Sequence, residues 1–133
     1  MTAARTEVRQ LLIASDPDAL VAAFVRPDDH VHLAATMSRP NALQRSLARV
    51  FADQGQLVVS TPAVHSSAHA LALSGCCRKL VTGFLGDTYP SPRPNPLYRD
   101  AHVSKPFEVE LWSLLTYTQR LMAAALGQPY GVC

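Results

Sequence analysis

Strand-length apolar runs alternate with segments of helical spacing along most of this chain, and that alternation restricts its possible folds more than any other feature. "HVHLAAT" (His30–Thr36) is bounded by "RPDD" and "SRPN". It is short and apolar, which favours a strand buried on both faces over a helix. Ser38 then offers a cap and Pro40 an initiating turn, and Leu43, Leu47, Val50 and Phe51 recur at helical spacing, which predicts a helix over Pro40–Asp53 stopped by Gly55. "QLVVSTP" (Gln56–Pro62) reads as a second strand, "VHSSAHALALSG" (Val64–Gly75) as a helix and "RKLVTGF" (Arg78–Phe84) as a third strand. Upstream, Ser15 or Asp16 can cap a helix over Pro17–Val25, with Pro17 at its first position and Leu20, Ala23 and Phe24 on one face. Downstream, "FEVEL" (Phe107–Leu111) is a fourth short strand, and "WSLLTYTQRLMAAALG" (Trp112–Gly127) carries Leu114, Leu115, Tyr117, Leu121, Met122 and Leu126 on a long helix ended by Gly127 and Pro129.

Parallel neighbours need crossover connections, so this order predicts an α/β fold: a three-layer open, mostly parallel sheet with helices on both faces. Residues 1–15 form a lead or a short helix, and residues 16–133 form one domain. Ligands of such sheets bind at the carboxyl ends of the strands. That rule directs attention to "TMSRP" after the first strand, "TPAVHSS" after the second and the segment "VTGFLGDTYPSPRPNPLYRDAH" after the third, all predicted to share one edge. The last carries prolines at alternate positions from Pro90 to Pro96, which fix φ and favour an extended path. A small open sheet leaves an edge or a helix face uncovered, which predicts an obligate oligomer.

With 133 residues, 48% hydrophobic and 17% charged, the chain has the balance of one globular unit. Its net charge of +2 comes from scattered Lys and Arg, so no basic stripe tracks nucleic acid. The three cysteines give neither a metal-finger spacing nor an even disulfide set. There is no secretory signal pattern and no apolar run of about 20 residues for a membrane span. These readings predict a cytoplasmic protein with reduced thiols.

No G-x-G-x-x-G follows the first strand and no G-x-x-x-x-G-K-S/T occurs, so nucleotide binding has no motif here. His65 and His69, four apart, have the spacing of two metal ligands on one helix face, but no third ligand is near and a structural role is preferred. Cys76 and Cys77 beside Arg78 and Lys79 read as buried structural thiols before they read as nucleophiles. Asp87 suits a general base or, more simply, a turn. Glu108 and Glu110 share one side of their strand, either as a carboxylate pair in a pocket or, preferably, as solvated acids on an edge strand.

"GFLGDTYPSPRPNPLYRDAH" followed by "EVELWSLLTYTQRLMAAALGQPY" resembles the α-subunit side of the family I CoA-transferases, of the glutaconate CoA-transferase type. The helix is the most specific piece. The resemblance covers about Asp16 to Cys133 and corresponds to the N-terminal part of a family α subunit. It implies acyl-CoA thioester chemistry, whether transfer, decarboxylation or hydrolysis, with a coenzyme A thioester as substrate and no tightly bound cofactor. In the family the glutamate that forms the enzyme-bound thioester lies on the β subunit, so Glu108 and Glu110 do not inherit that role and no catalytic residue is assigned here.

The implied partners are a β-type subunit, a second-half chain and an acyl-CoA or acyl carrier protein, in a hetero-oligomer. By the same resemblance, Thr36, Met37, Ser38, Arg39, His65, Ser66, Phe84, Asp87 and Tyr89 border the shared cleft. Arg39 suits an acyl carboxylate or a CoA phosphate, or is simply a surface arginine before a helix. The family's Gly-rich turn after the first strand reads "LAATMSRP" here, without glycine between Val31 and Asn41. The expectation is therefore a subunit active only with a partner. The rivals are a non-catalytic acyl-thioester-binding or assembly subunit and, last, a free-standing hydrolase using Cys76, Cys77 or Asp87.

Overall fold

Asp16, one of the two cap candidates, starts the first helix: its carboxylate accepts the Asp18 N–H at 2.9 Å, and Pro17 takes the first position of α1 (Pro17–Phe24). The helix stops one residue early, because Val25 is extended with ψ 136°. In this computed structural model the described residues are 15–35, 39–86, 95–98 and 107–131. Helix α2 (Asn41–Val50) packs on α1, and Arg49 Nε donates to Asp18 at 2.9 Å. The guanidinium holds the exposed Asp18 carboxyl down to about 2.

Strands β1 (His30–His32), β2 (Leu57–Thr61), β3 (Cys77–Thr82) and β4 (Glu108–Leu111) form one sheet in the order β1-β2-β3-β4 with every neighbouring pair parallel. Right-handed crossovers in a monotonic order place α2 and α3 (His69–Leu73) on the same face. Register then sorts the side chains. Val31, Val59, Leu80 and Val109 form one row across the sheet, toward the core of Val21, Leu47, Phe51, Leu57 and Leu71. The next row, His32, Ser60, Val81 and Glu110, faces the other side and meets α4 (Leu114–Ala125). Helices therefore cover both faces, in the three-layer α/β arrangement that the alternation predicts.

Three expectations need correction. The first strand is three residues long and lies at a sheet edge, so His30 and His32 are exposed and burial on both faces fails there. The Val64–Gly75 helix shrinks to a 3₁₀ turn (Ser66–Ala68) and α3, because Val64 is occupied elsewhere. Its N–H donates to the Phe84 carbonyl at 2.8 Å and its carbonyl accepts the Gly86 N–H at 3.2 Å. The Pro40–Asp53 helix ends at Val50, and Asp53 turns the chain at φ 57° before Gly55.

Helix α4 follows its sequence signals closely. The Ser113 hydroxyl accepts the Thr116 N–H at 3.0 Å at one end. At the other, Gly127 has φ 68°, with Gln128 N–H donating to Ala123 and Gly127 N–H to Ala124, the pair of bonds of a Schellman cap. Its first turn presses on Gly83, where an added Cβ meets Leu114 Cδ2 at 2.8 Å, the Pro62 carbonyl at 3.1 Å and the Trp112 carbonyl at 3.3 Å. Gly83→Ala is therefore expected to destabilise by about 1–3 kcal/mol through crowding against fixed backbone. Thermal denaturation checks it, and an unchanged midpoint contradicts the close approach.

Between β3 and β4, which pair in parallel, the chain has to cross over. Within that connection Pro96–Tyr98 forms a 3₁₀ turn, and Tyr98 is buried between His69, whose Nδ1 is 2.7 Å from its hydroxyl, and the Phe107 ring edge. The prolines from Pro90 to Pro94 lie outside the described residues, so the extended path predicted for them stays an expectation.

Candidate functional site

The carboxyl ends of the strands bring three loops together. The loop after β1 delivers Arg39, the loop after β2 delivers His65, Ser66 and Ser67, and the loop after β3 is tied to the second by the Val64 bonds to Phe84 and Gly86. Arg39 Nη1 lies 3.0 Å from His65 Nδ1. A guanidinium only donates, so His65 Nδ1 accepts and the ring proton resides on Nε2. Ser66 Oγ stands 3.3 Å from the same nitrogen, and Ser66 itself sits at φ 55°, a left-handed conformation that costs a non-glycine residue about 1–2 kcal/mol. The strain falls at the residue that aims this loop toward Arg39.

One layer deeper, the Ser67 hydroxyl lies 2.6 Å from Asn41 Oδ1 and 2.9 Å from Gln44 Oε1. A hydroxyl has one proton and serves one of these oxygens. Gln44 is fully buried and its amide nitrogen has no partner, so a half-turn of that carboxamide resolves both problems: Gln44 donates to Ser67, and Ser67 donates to Asn41. This chain ties the first turns of α2 to the loop after β2 and so fixes the spacing of Arg39 and His65. The sequence reading missed Asn41 and Gln44. The only signal was a polar residue at a helix position otherwise spaced for core contacts.

On the opposite face, His32 Nδ1 lies 3.1 Å from both Ser60 Oγ and Tyr117 Oη, and the two hydroxyls also pair with each other. This triangle anchors α4 to β1 and β2, beside Trp112, whose indole N–H donates to Glu110 at 2.6 Å. Burial and nearby His30 push the His32 pKa down from its ordinary value, keeping the ring neutral and able to accept. The unfolded chain thus binds a proton at higher pH than the native one, so this contribution is complete above the ordinary histidine value near 6.5 and is lost as pH falls through the lower native value. The expected result is a thermal midpoint that falls on acidification below that value and a shallower fall in His32→Gln. Identical pH profiles contradict the assignment. Glu108 and Glu110 both hold Lys79, at 2.9 and 2.7 Å, so they are paired edge-strand acids rather than a free carboxylate site.

Of the sequence-selected residues, the structure unites Arg39, His65, Ser66 and the Phe84 loop; Thr36, Met37, Ser38, Asp87 and Tyr89 lie outside the described residues. His65 and His69 do not share a helix face: His65 is extended and bonds Arg39, while His69 begins α3 and bonds Tyr98. Among the described residues no three ligating side chains converge on a metal position. Cys76 and Cys77 are buried at the amino end of β3, the far end from the Arg39 cluster, with their sulfurs 3.5 Å apart. Their mutual hydrogen bond brings Cys76 down to about 7 and, with burial, pushes Cys77 up. Two cavities of about 450 and 490 Å³ are lined by α1, β1 and α2 and by the Asp53–Gly75–Phe107 corner, and neither includes Arg39 or His65. Arg39 and His65 are part-buried where they meet.

The coenzyme A transferase family model matches residues 15–133, nearly the whole sequence and every strand of the sheet. The chain belongs to the coenzyme A transferase family. Its fold agrees with that membership: a solved structure of a cysteine-to-serine variant of the decarboxylase AibA/AibB superposes with a TM-score of 0.68 at 22% identity over 86% of this chain. This member of the family spans 44% of that longer chain. None of the curated proteins compared matches it. No helix among the described residues is long and apolar enough to cross a membrane.

Proposed function

We propose that this chain is one subunit of a CoA-transferase-like enzyme acting on an acyl-CoA or acyl-carrier thioester, active only with a β-type subunit that carries the glutamate nucleophile, in a cytoplasmic hetero-oligomer. The observation that carries this reading is the Arg39–His65–Ser66 cluster at the strand carboxyl edge of a family fold. Arg39 presents a planar donor fork suited to a CoA phosphate or an acyl carboxylate, and His65 with its proton on Nε2 adds a neutral donor beside it. The family resemblance assigns Thr36, Met37, Ser38, Asp87 and Tyr89, which lie outside the described residues, to the border of the same cleft. A partner is motivated because a thioester carbonyl needs water excluded and oxyanion donors around it, and the family resemblance puts the glutamate nucleophile on another subunit.

Lack of glycine across Val31–Asn41 favours a second reading, a non-catalytic thioester-binding or assembly subunit, since close backbone approach at that turn is harder without it. Calorimetric titration of a CoA thioester into the partner-completed complex separates the two. Saturable binding with turnover supports the enzyme, binding without turnover supports the second reading, and no binding contradicts both.

A further inference from the structure

Cys76 and Cys77 take no part in the cluster at the carboxyl edge and lie at the amino end of β3. In a regular strand consecutive side chains point to opposite faces. Here Leu57 is opposite Cys77 but Val58 is opposite Lys79, so Arg78 is an extra residue and the strand bulges just after the two thiols. Both cysteines are buried and free, and their sulfurs lie 3.5 Å apart, with the proton between them able to sit on either. The Leu71 carbonyl, 3.4 Å from Cys76 Sγ, accepts the Cys76 proton when Cys77 holds none. Cys77 also lines the cavity of about 490 Å³ at the Asp53–Gly75–Phe107 corner, beside the exposed Arg78, which gives a solute of water's size a route to one sulfur of the pair.

We propose that Cys76 and Cys77 form a redox modification site, a dithiol that a peroxide converts reversibly into a disulfide between neighbouring residues. Thiolate is present at ordinary pH, because the hydrogen bond from Cys77 brings Cys76 down to about 7. With the remaining proton on Cys76, the Cys77 thiolate attacks one peroxide oxygen. An S–O bond forms, the O–O bond breaks, and the hydroxide released takes the Cys76 proton and leaves as water. The Cys76 thiolate then attacks the Cys77 sulfur: the S–S bond forms, the S–O bond breaks, and the second hydroxide takes a proton from solvent. Each sulfur gives up one electron and the peroxide takes two. A resolving thiol already in contact traps the sulfenic acid before further oxygen can add. The sulfurs have about 1.5 Å to close to reach the disulfide length of about 2.05 Å.

Peptide mapping by mass spectrometry tests it, on the purified full chain in native buffer with a small excess of hydrogen peroxide. The expected product has lost two hydrogens within Cys76–Cys77, regains them with dithiothreitol, and forms equally in Cys133→Ser. Cys77→Ser should give no such product, and the map of the unaltered chain decides alone if that variant does not fold. Unchanged thiols, oxygen added to one cysteine without a bond to its neighbour, a bond to Cys133 or to a second copy, or a product formed only in urea each overturn the proposal. The result does not depend on thioester turnover, since the pair is at the end of the sheet away from Arg39.

Discussion

Arg39→Ala, made in the partner-completed enzyme, is expected to lower kcat/KM about 10- to 150-fold, the loss that follows from one charge-assisted hydrogen bond to substrate worth about 1.5–3 kcal/mol. Its effect on folding should be small, because Arg39 precedes α2 and lies only half-buried. Arg39→Lys keeps the charge but not the planar fork, and is expected to recover part of the loss. Steady-state kinetics with a parallel thermal melt checks both parts. Unchanged kcat/KM in Arg39→Ala removes the residue from the site.

Leu80→Ala is expected to have the largest effect on stability, about 2–5 kcal/mol. Leu80 is 2% exposed in an interior strand, between Val59 and Val109 on the row facing the core. Sheet hydrogen bonds on both sides hold its backbone, so the cavity left by truncation collapses poorly. With a domain's whole stability at about 5–15 kcal/mol, urea denaturation should show a midpoint markedly shifted at unchanged slope. A loss below about 1 kcal/mol would show that this row is not the centre of the core.

Most of the fold was legible because its signals are local. Asp16 with Pro17, and Gly127, marked helix ends that the hydrogen bonds reproduce, while the cap at Ser113 went unread. The apolar runs of β2 and β3 are buried on both faces of an interior sheet, and their lack of alternation reflects that. Where the reading failed, the deciding contact was remote in sequence. Val64 pairs with Leu85, which delays α3, and "HVHLAAT" cannot reveal that its strand will stand at an edge.

The site was legible in part. Arg39, His65 and Ser66 were selected as a cleft border, and their meeting depends on a register that the sequence does not encode locally. The Asn41–Ser67–Gln44 chain and the His32–Ser60–Tyr117 triangle are tertiary products. Each side chain is ordinary alone, and only the packing gives it its partner.

The most direct measurement is turnover of a panel of CoA thioesters by this chain alone, by a β-type subunit alone and by the two purified together. The account predicts turnover only from the pair, lowered by Arg39→Ala. Turnover by the isolated chain, or a stable pair that turns over no thioester, contradicts it.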